Sequence, residues 1–207
     1  IFIPFALGYF LSYLFRVVNA VIAPDLVADL NLDPSELGLL TSTYFIAFAS
    51  SQLPLGVLLD RFGPRMVESF LLLFAGAGAI IFAVSHTLTG VIIGRALIGF
   101  GVSACLMAAF KSYVLWFPGT ILSRINGFQM AAGGLGALAA TTPVAWALHF
   151  TDWRGLFWAL ALLSFAVSLA VFLMVPEQGK KATPEKISSQ ITGMFQIFKS
   201  PAFWRIA

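Results

Sequence analysis

Polar and apolar positions along this chain fall in long blocks rather than short alternations. Six apolar runs, at about 2–24, 37–59, 66–85, 88–110, 125–149 and 155–175, are separated by short polar segments. A helix that crosses a bilayer needs roughly 20 predominantly apolar residues, and each run is near or above that length. Three of them, 37–59, 125–149 and 155–175, contain no charged residue. The first contains only Arg16, the third only Glu68 and the fourth only Arg95. The pattern predicts an all-α membrane protein with six transmembrane helices.

Charge then orients the runs. The segments after runs two, four and six hold Arg61, Arg65, Lys111, Arg124, Lys180, Lys181, Lys186, Lys199 and Arg205. The segments after runs one, three and five hold only Arg154. Basic residues collect on the cytoplasmic side of short loops, so the N-terminus and residues 176–200 are expected to be cytoplasmic. The first loop is acidic instead, with Asp25, Asp29, Asp33 and Glu36. There Asp33-Pro34-Ser35-Glu36 reads as a helix start. Glu68 is expected in the first turn of its run, where an acid suits the positive end of a helix. On that reading no Asp or Glu lies in the interior of any span.

Composition narrows the class further. The 207 residues are 59% apolar and only 10% charged, against about a quarter charged in a soluble domain. The net charge of +3 sits in loops between apolar runs and gives no nucleic-acid surface. The single Cys105 lies within a run and permits no intrachain disulfide. Residues 1–175 are expected to form one six-helix bundle, 176–200 a cytoplasmic linker and 201–207 the start of a seventh helix. In the linker, Ile187, Ile191, Met194 and Phe198 have amphipathic spacing. The chain opens inside an apolar run without Met, and is expected to be part of a longer protein.

The densest knot of charge in the first hundred residues is Gly56-Val57-Leu58-Leu59-Asp60-Arg61-Phe62-Gly63-Pro64-Arg65. Its pattern, G-x-L-x-D-R-x-G-x-R, resembles the loop between helices 2 and 3 of major facilitator superfamily transporters. Leu37-Gly38-Leu39-Leu40 with Tyr44, Phe45, Gln52 and Gly56 resembles that family's helix 2. Arg95 through Gly101 resembles its helix 4, with Ile98 in place of the usual Gln, and Asp152-Trp153-Arg154 resembles the pair preceding helix 6. The resemblance implies the N-terminal half of a twelve-helix fold, built as two inverted three-helix repeats, with a C-terminal six-helix half beyond it. A faint echo between Asp60-Arg61-Phe62-Gly63 and Asp152-Trp153-Arg154-Gly155 suits two units of inverted topology. Tyr13 through Asn19, followed by Ala23-Pro24, resembles helix 1 of the family's organic anion transporters. In these an arginine at the place of Arg16 holds an anionic group. The resemblance also implies charged gating contacts at Asp60 and Arg65, in the loop that includes Arg61 and Gly63.

The residues themselves point to candidates for binding. An arginine near a helix centre needs water, an anion or a partner. At 100° per residue, Tyr9, Ser12, Tyr13, Arg16 and Asn19 share one face. That face is either a cavity wall or a route for Arg16 to reach the surface or Asp25. Arg95 is expected at a similar depth, as a second cation of an anion site, a gate, or a ligand of helix-end carbonyls. Tyr44 and Gln52 share a face of the second run, and Asn126, Gln129 and Gly133 one of the fifth. These groups either contact substrate or bond one helix to another. Lys111 reads as an interface anchor. Gly99, Gly101, Gly133, Gly134 and Gly136 allow close helix approach.

Together these features predict a secondary transporter moving a small organic anion across a bacterial inner membrane by alternating access. H+ or Na+ is the candidate coupling ion. No cofactor, metal or enzymatic activity is expected, since no intramembrane His-Glu pair, Ser-Lys pair or aspartate dyad occurs and His86 and His149 sit at loop edges. The alternatives are a non-transporting membrane sensor or scaffold and an exporter of neutral or drug-like solutes. The substrate, and symport against antiport, are not legible here.

Overall fold

The computed structural model describes residues 1–176, which are helical with no strand. The elements are α1 (Phe2–Leu30), α2 (Pro34–Val84), α3 (Leu88–Gly101), α4 (Cys105–Trp116), α5 (Gly119–Ala139), α6 (Thr142–Ala147) and α7 (Trp153–Met174). The expected linker at 176–200, its amphipathic spacing and the seventh helix at 201–207 lie outside the described residues, apart from residue 176 itself.

Helix boundaries follow local chemistry. The start of α2 is a reciprocal cap: Glu36 N–H donates to Asp33 Oδ1 at 2.8 Å, and Asp33 N–H donates to Glu36 Oε2 at 2.9 Å. Such a cap satisfies two otherwise orphaned donors and stabilises a helix by about 1 kcal/mol. The 51 residues of α2 extend about 77 Å at 1.5 Å each, far more than one bilayer crossing requires. Gly63, at φ 76° and ψ 161°, breaks that length into two arms. Two of the six expected runs are therefore the arms of one broken helix. Run four is divided between α3 and α4 by the turn at 102–104.

Among the described residues, four stretches are long and apolar enough to cross a membrane: Phe2–Leu30, Pro34–Val84, Leu88–Trp116 and Trp153–Met174. The fifth run departs from expectation. Its helix begins at Gly119 rather than near 125, and the chain breaks at Thr141 before the short α6. Arg124, Asn126, Gln129 and several glycines dilute the apolar character of α5, which is why it stands outside those four stretches.

Packing joins the elements into one bundle. α1 lies against α5, where a Cβ added at Gly136 would fall on the Phe10 carbonyl. Gly99, Gly101 and Gly133 are likewise buried without room for a Cβ, whereas Gly134 faces open space. The second arm of α2 packs on α7: Phe82 stacks on Phe157 at 4.2 Å, and Ser168 Oγ donates to the Ser69 carbonyl at 2.7 Å. Large apolar side chains such as Ile3, Ile46, Phe70, Leu162 and Leu173 remain on the outside. Apolar exposure on that scale suits contact with lipid rather than water. The chain is a multi-pass membrane protein.

Candidate functional site

The polar face of α1 divides in two. Tyr9, Ser12 and Asn19 are buried, whereas Tyr13 and Arg16 are half-buried. The Arg16 guanidinium lies 4.8 Å from the Tyr13 ring centre and 5.2 Å from that of Phe48 on α2. Two aromatic faces thus hold the cation. No carboxylate pairs with Arg16 among the described residues, and its Nε has no hydrogen-bond partner. Asp25, the alternative partner, is exposed and makes no ion pair with it. Three residues on, Asn19 Nδ2 donates to Thr41 Oγ1 at 3.0 Å, while its Oδ1 is buried without a partner.

Behind this face stands Arg95, at 0% exposure. Its Nη1 donates to the Phe15 carbonyl at 3.1 Å, and its guanidinium lies 4.8 Å from the Tyr44 ring centre. Tyr44 Oη donates in turn to the Ser12 carbonyl at 3.3 Å. α2 and α3 thereby grip the backbone of α1 in the turn leading to Arg16. Arg95 does bind a carbonyl, but in the middle of α1 rather than at a helix end. Its direct bond fixes the peptide beside Arg16.

The two glutamines tie helices together. Gln52 Nε2 donates to the carbonyls of Phe48, at 3.2 Å, and of Ser103, at 3.3 Å. Gln129 is buried. It accepts from Tyr113 Oη at 2.7 Å and donates to the Phe5 carbonyl at 3.2 Å. α5 is thus bonded to both α1 and α4.

At one end of the bundle Lys111 donates to Asp60 in an ion pair, joining α4 to the first arm of α2. Lys111 therefore has a carboxylate partner beyond the anchoring role read from its position. Arg61 is exposed beside the Phe62 ring, and the Arg65 guanidinium lies 4.6 Å from the ring centre of Phe172 on α7. The opposite end is closed by Arg154. It donates to the carbonyls of Ala83 at 2.8 Å and Ser85 at 2.6 Å, and to Asp29 Oδ2 at 2.8 Å.

One expectation is corrected. Glu68 does stand near the start of the second arm of α2, five residues past the Gly63 break, but its side chain is not at the surface. It is 0% exposed, and no N–H or O–H group donates to either carboxylate oxygen among the described residues. Its side chain points inward to Gly8 of α1 and Cys105 of α4. The side chain of an acidic group is therefore buried inside the bundle, near the start of the second arm of α2. A signal was present in the sequence: Glu68, Leu71, Leu72, Ala75, Ala79 and Phe82 follow helical spacing, and all are buried.

Comparisons with known proteins agree with this architecture. The chain is 27% identical to the hexuronate transporter of Escherichia coli (strain K12), over 97% of this chain and 50% of that protein. It is 25% identical to the galacturonate transporter of Dickeya chrysanthemi, over 97% of this chain and 63% of that protein. The chain thus spans about half the length of the curated relatives it matches. The crystal structure of a D-xylose-proton symporter superposes with a TM-score of 0.72 at 18% identity, covering 97% of this chain and 53% of that one; this likeness bears on the fold alone. A single family model spans residues 5–207, covering the arginine face of α1, the Asp60–Lys111 pair and the Gly63 break. The chain belongs to the Major Facilitator Superfamily.

Proposed function

We propose that this chain is the N-terminal half of a secondary active transporter that moves a small organic anion across the inner membrane by alternating access. The observation that carries the reading is Arg16, a half-buried cation held between two aromatic rings with no carboxylate partner among the described residues. A guanidinium grips a carboxylate or phosphate with two parallel hydrogen bonds. The names of the hexuronate and galacturonate transporters point to sugar acids, which carry such a carboxylate.

In this reading Arg16 binds the anionic group, with Tyr13 beside it and Asn19 supplying a free amide oxygen one turn away. Tyr44, Gln52 and Gln129 act mainly by holding the helices that frame the site, given the carbonyls and phenol they bond. Arg95 keeps the α1 backbone in register. A C-terminal six-helix half completes the cavity, and rocking of the two halves exposes it to each side in turn. The end bearing Asp60, Arg61, Gly63 and Arg65 faces the cytoplasm, by the bias of basic residues. It serves there as the gate.

The test is uptake of radiolabelled sugar acids, dicarboxylates and organophosphates into proteoliposomes carrying the full-length protein. Arg16→Ala and Arg16→Lys are compared with the wild type after insertion has been verified. Loss of uptake by about a hundredfold in both variants is expected, as for removal of a bidentate charged contact. Undiminished uptake in both would make Arg16 structural and remove the anion reading.

A further inference from the structure

The substrate face described above makes no use of Glu68, the described acidic group with the least access to solvent. No N–H or O–H group donates to either of its oxygens among the described residues, and the weakly donating Cys105 thiol is the polar group beside them. An ionised carboxylate held away from water without a counter-charge is far more costly than the neutral acid. Such groups inside membrane spans mark ion or proton pathways. The surroundings admit the group, since the carboxyl end of Glu68 occupies the space beside Gly8 of α1 that a Cβ there would crowd.

The titratable neighbours are few. The Cys105 thiol lies beside Glu68, and the Tyr113 phenol is within electrostatic reach, both on α4. Tyr9 of α1 approaches from the side of Cys105. From α5, the uncharged Gln129 is bonded to Tyr113. The one charged residue of α7 is Arg154, at its opposite end. No cation pairs with Glu68 among the described residues, so a proton is the ion best able to neutralise it.

Position adds a second argument. Along α4, Cys105 is six residues from Lys111. At 1.5 Å per residue Cys105, with the Glu68 carboxyl beside it, lies roughly 9 Å behind the Asp60–Lys111 pair. It is sealed while that end is closed, and stands near the water that enters when the end opens.

We propose that Glu68 is a proton-coupling site of this half. Its carboxylate takes one proton from water on one side to become the acid, and returns that proton to water on the other, with no other bond made or broken. This deepens the transporter reading and rests on it.

The experiment uses the full-length protein in proteoliposomes, with galacturonate as the probe and a pH-sensitive dye in the lumen. The wild type is expected to accumulate galacturonate on an inward proton gradient and to acidify the lumen as it does. Glu68→Gln is expected to lose gradient-driven accumulation by at least about tenfold while still exchanging labelled for unlabelled galacturonate. Glu68→Asp, which keeps a carboxyl, should recover part of the coupling. Gradient-driven accumulation in Glu68→Gln equal to the wild type would overturn the proposal. So would wild-type uptake indifferent to the gradient, although the transporter reading would then stand. Should galacturonate fail to move at all, or Glu68→Gln fail to insert, infrared spectroscopy decides, with Glu68→Asp replacing Glu68→Gln in the second case. A carboxyl C=O band that titrates with pH in the wild type and is absent or shifted in the variant supports the proposal. A spectrum unchanged by the substitution overturns it.

Discussion

Two turns of this chain share the spacing Asp-x-x-Gly, and the structure uses them in opposite ways. In Asp60-Arg61-Phe62-Gly63 the aspartate is near the end of a helical arm, and the glycine takes a positive φ that stops the helix. In Asp152-Trp153-Arg154-Gly155 the aspartate begins a helix, and its Oδ1 accepts from Gly155 N–H at 2.7 Å. The first turn is tied to its neighbours by an exposed ion pair to Lys111, together with contacts of its arginines to aromatic rings. The second is tied by Arg154 to two carbonyls and a carboxylate, with Trp153 beneath the guanidinium. The same spelling thus yields an end joined by an exposed ion pair and an end clamped by a part-buried arginine. In the proposed alternating-access cycle, a difference in strength between the fastenings would bias which end opens first.

The clamped end supplies the largest expected effect. Arg154→Ala leaves the carbonyls of Ala83 and Ser85 without their donor and frees Asp29. Hydrogen bonds to charged groups contribute about 1.5–3 kcal/mol each, and burial keeps water from replacing them fully. We expect a loss of about 2–4 kcal/mol, read as a lower melting temperature of the purified full-length protein. Arg154→Lys should recover less than half, because an ammonium cannot reproduce the planar fork. If Arg154→Ala melts like the wild type, the clamp is not a clamp and the contrast between the ends disappears.

The break at Gly63 comes next. Its φ of 76° with ψ of 161° lies in a region that side chains with a Cβ rarely occupy, although the space around it is open. The cost of Gly63→Ala is therefore conformational, about 1–3 kcal/mol, and thermal melting would show it. A fully neutral substitution would mean that the two arms of α2 meet by some other geometry.

Gly63 also shows how far the sequence could be read. Glycine and proline between two apolar runs mark a turn, and the turn is there. The six runs, the Asp33–Glu36 cap and the loop at Asp60 were legible because each depends on residues adjacent in sequence. Arg16 was legible too, since one charge in an apolar run is conspicuous. What was not legible depends on partners distant in sequence. Lys111 meets Asp60 across 51 positions, and Gln129 meets Phe5 across 124. Glu68 was misread because a charge five residues past a loop glycine suits a helix start equally well. Only its alignment with Leu72, Ala75 and Ala79 indicated an inward face.

The smallest effect on stability belongs to the Asp60–Lys111 pair, and it sharpens the comparison most. The side chains are 64% and 28% exposed, and exposed ion pairs contribute about 0–1 kcal/mol. Asp60→Asn should therefore melt within about 1 kcal/mol of the wild type. The same increment moves an equilibrium between closed and open ends by up to about fivefold. The thiol of Cys105, buried six residues behind Lys111, should be alkylated faster by that factor when Asp60→Asn is introduced. Exchanging the charges, with Asp60→Lys and Lys111→Asp together, should bring the rate back toward that of the wild type. A rate unchanged by Asp60→Asn would mean that the pair is not what holds this end. A much larger rise would point to a stronger fastening than an exposed pair supplies. A weak latch suits the proposed gate: it favours the closed end without trapping it there, so that the proposed anion binding at Arg16 would be enough to tip the balance.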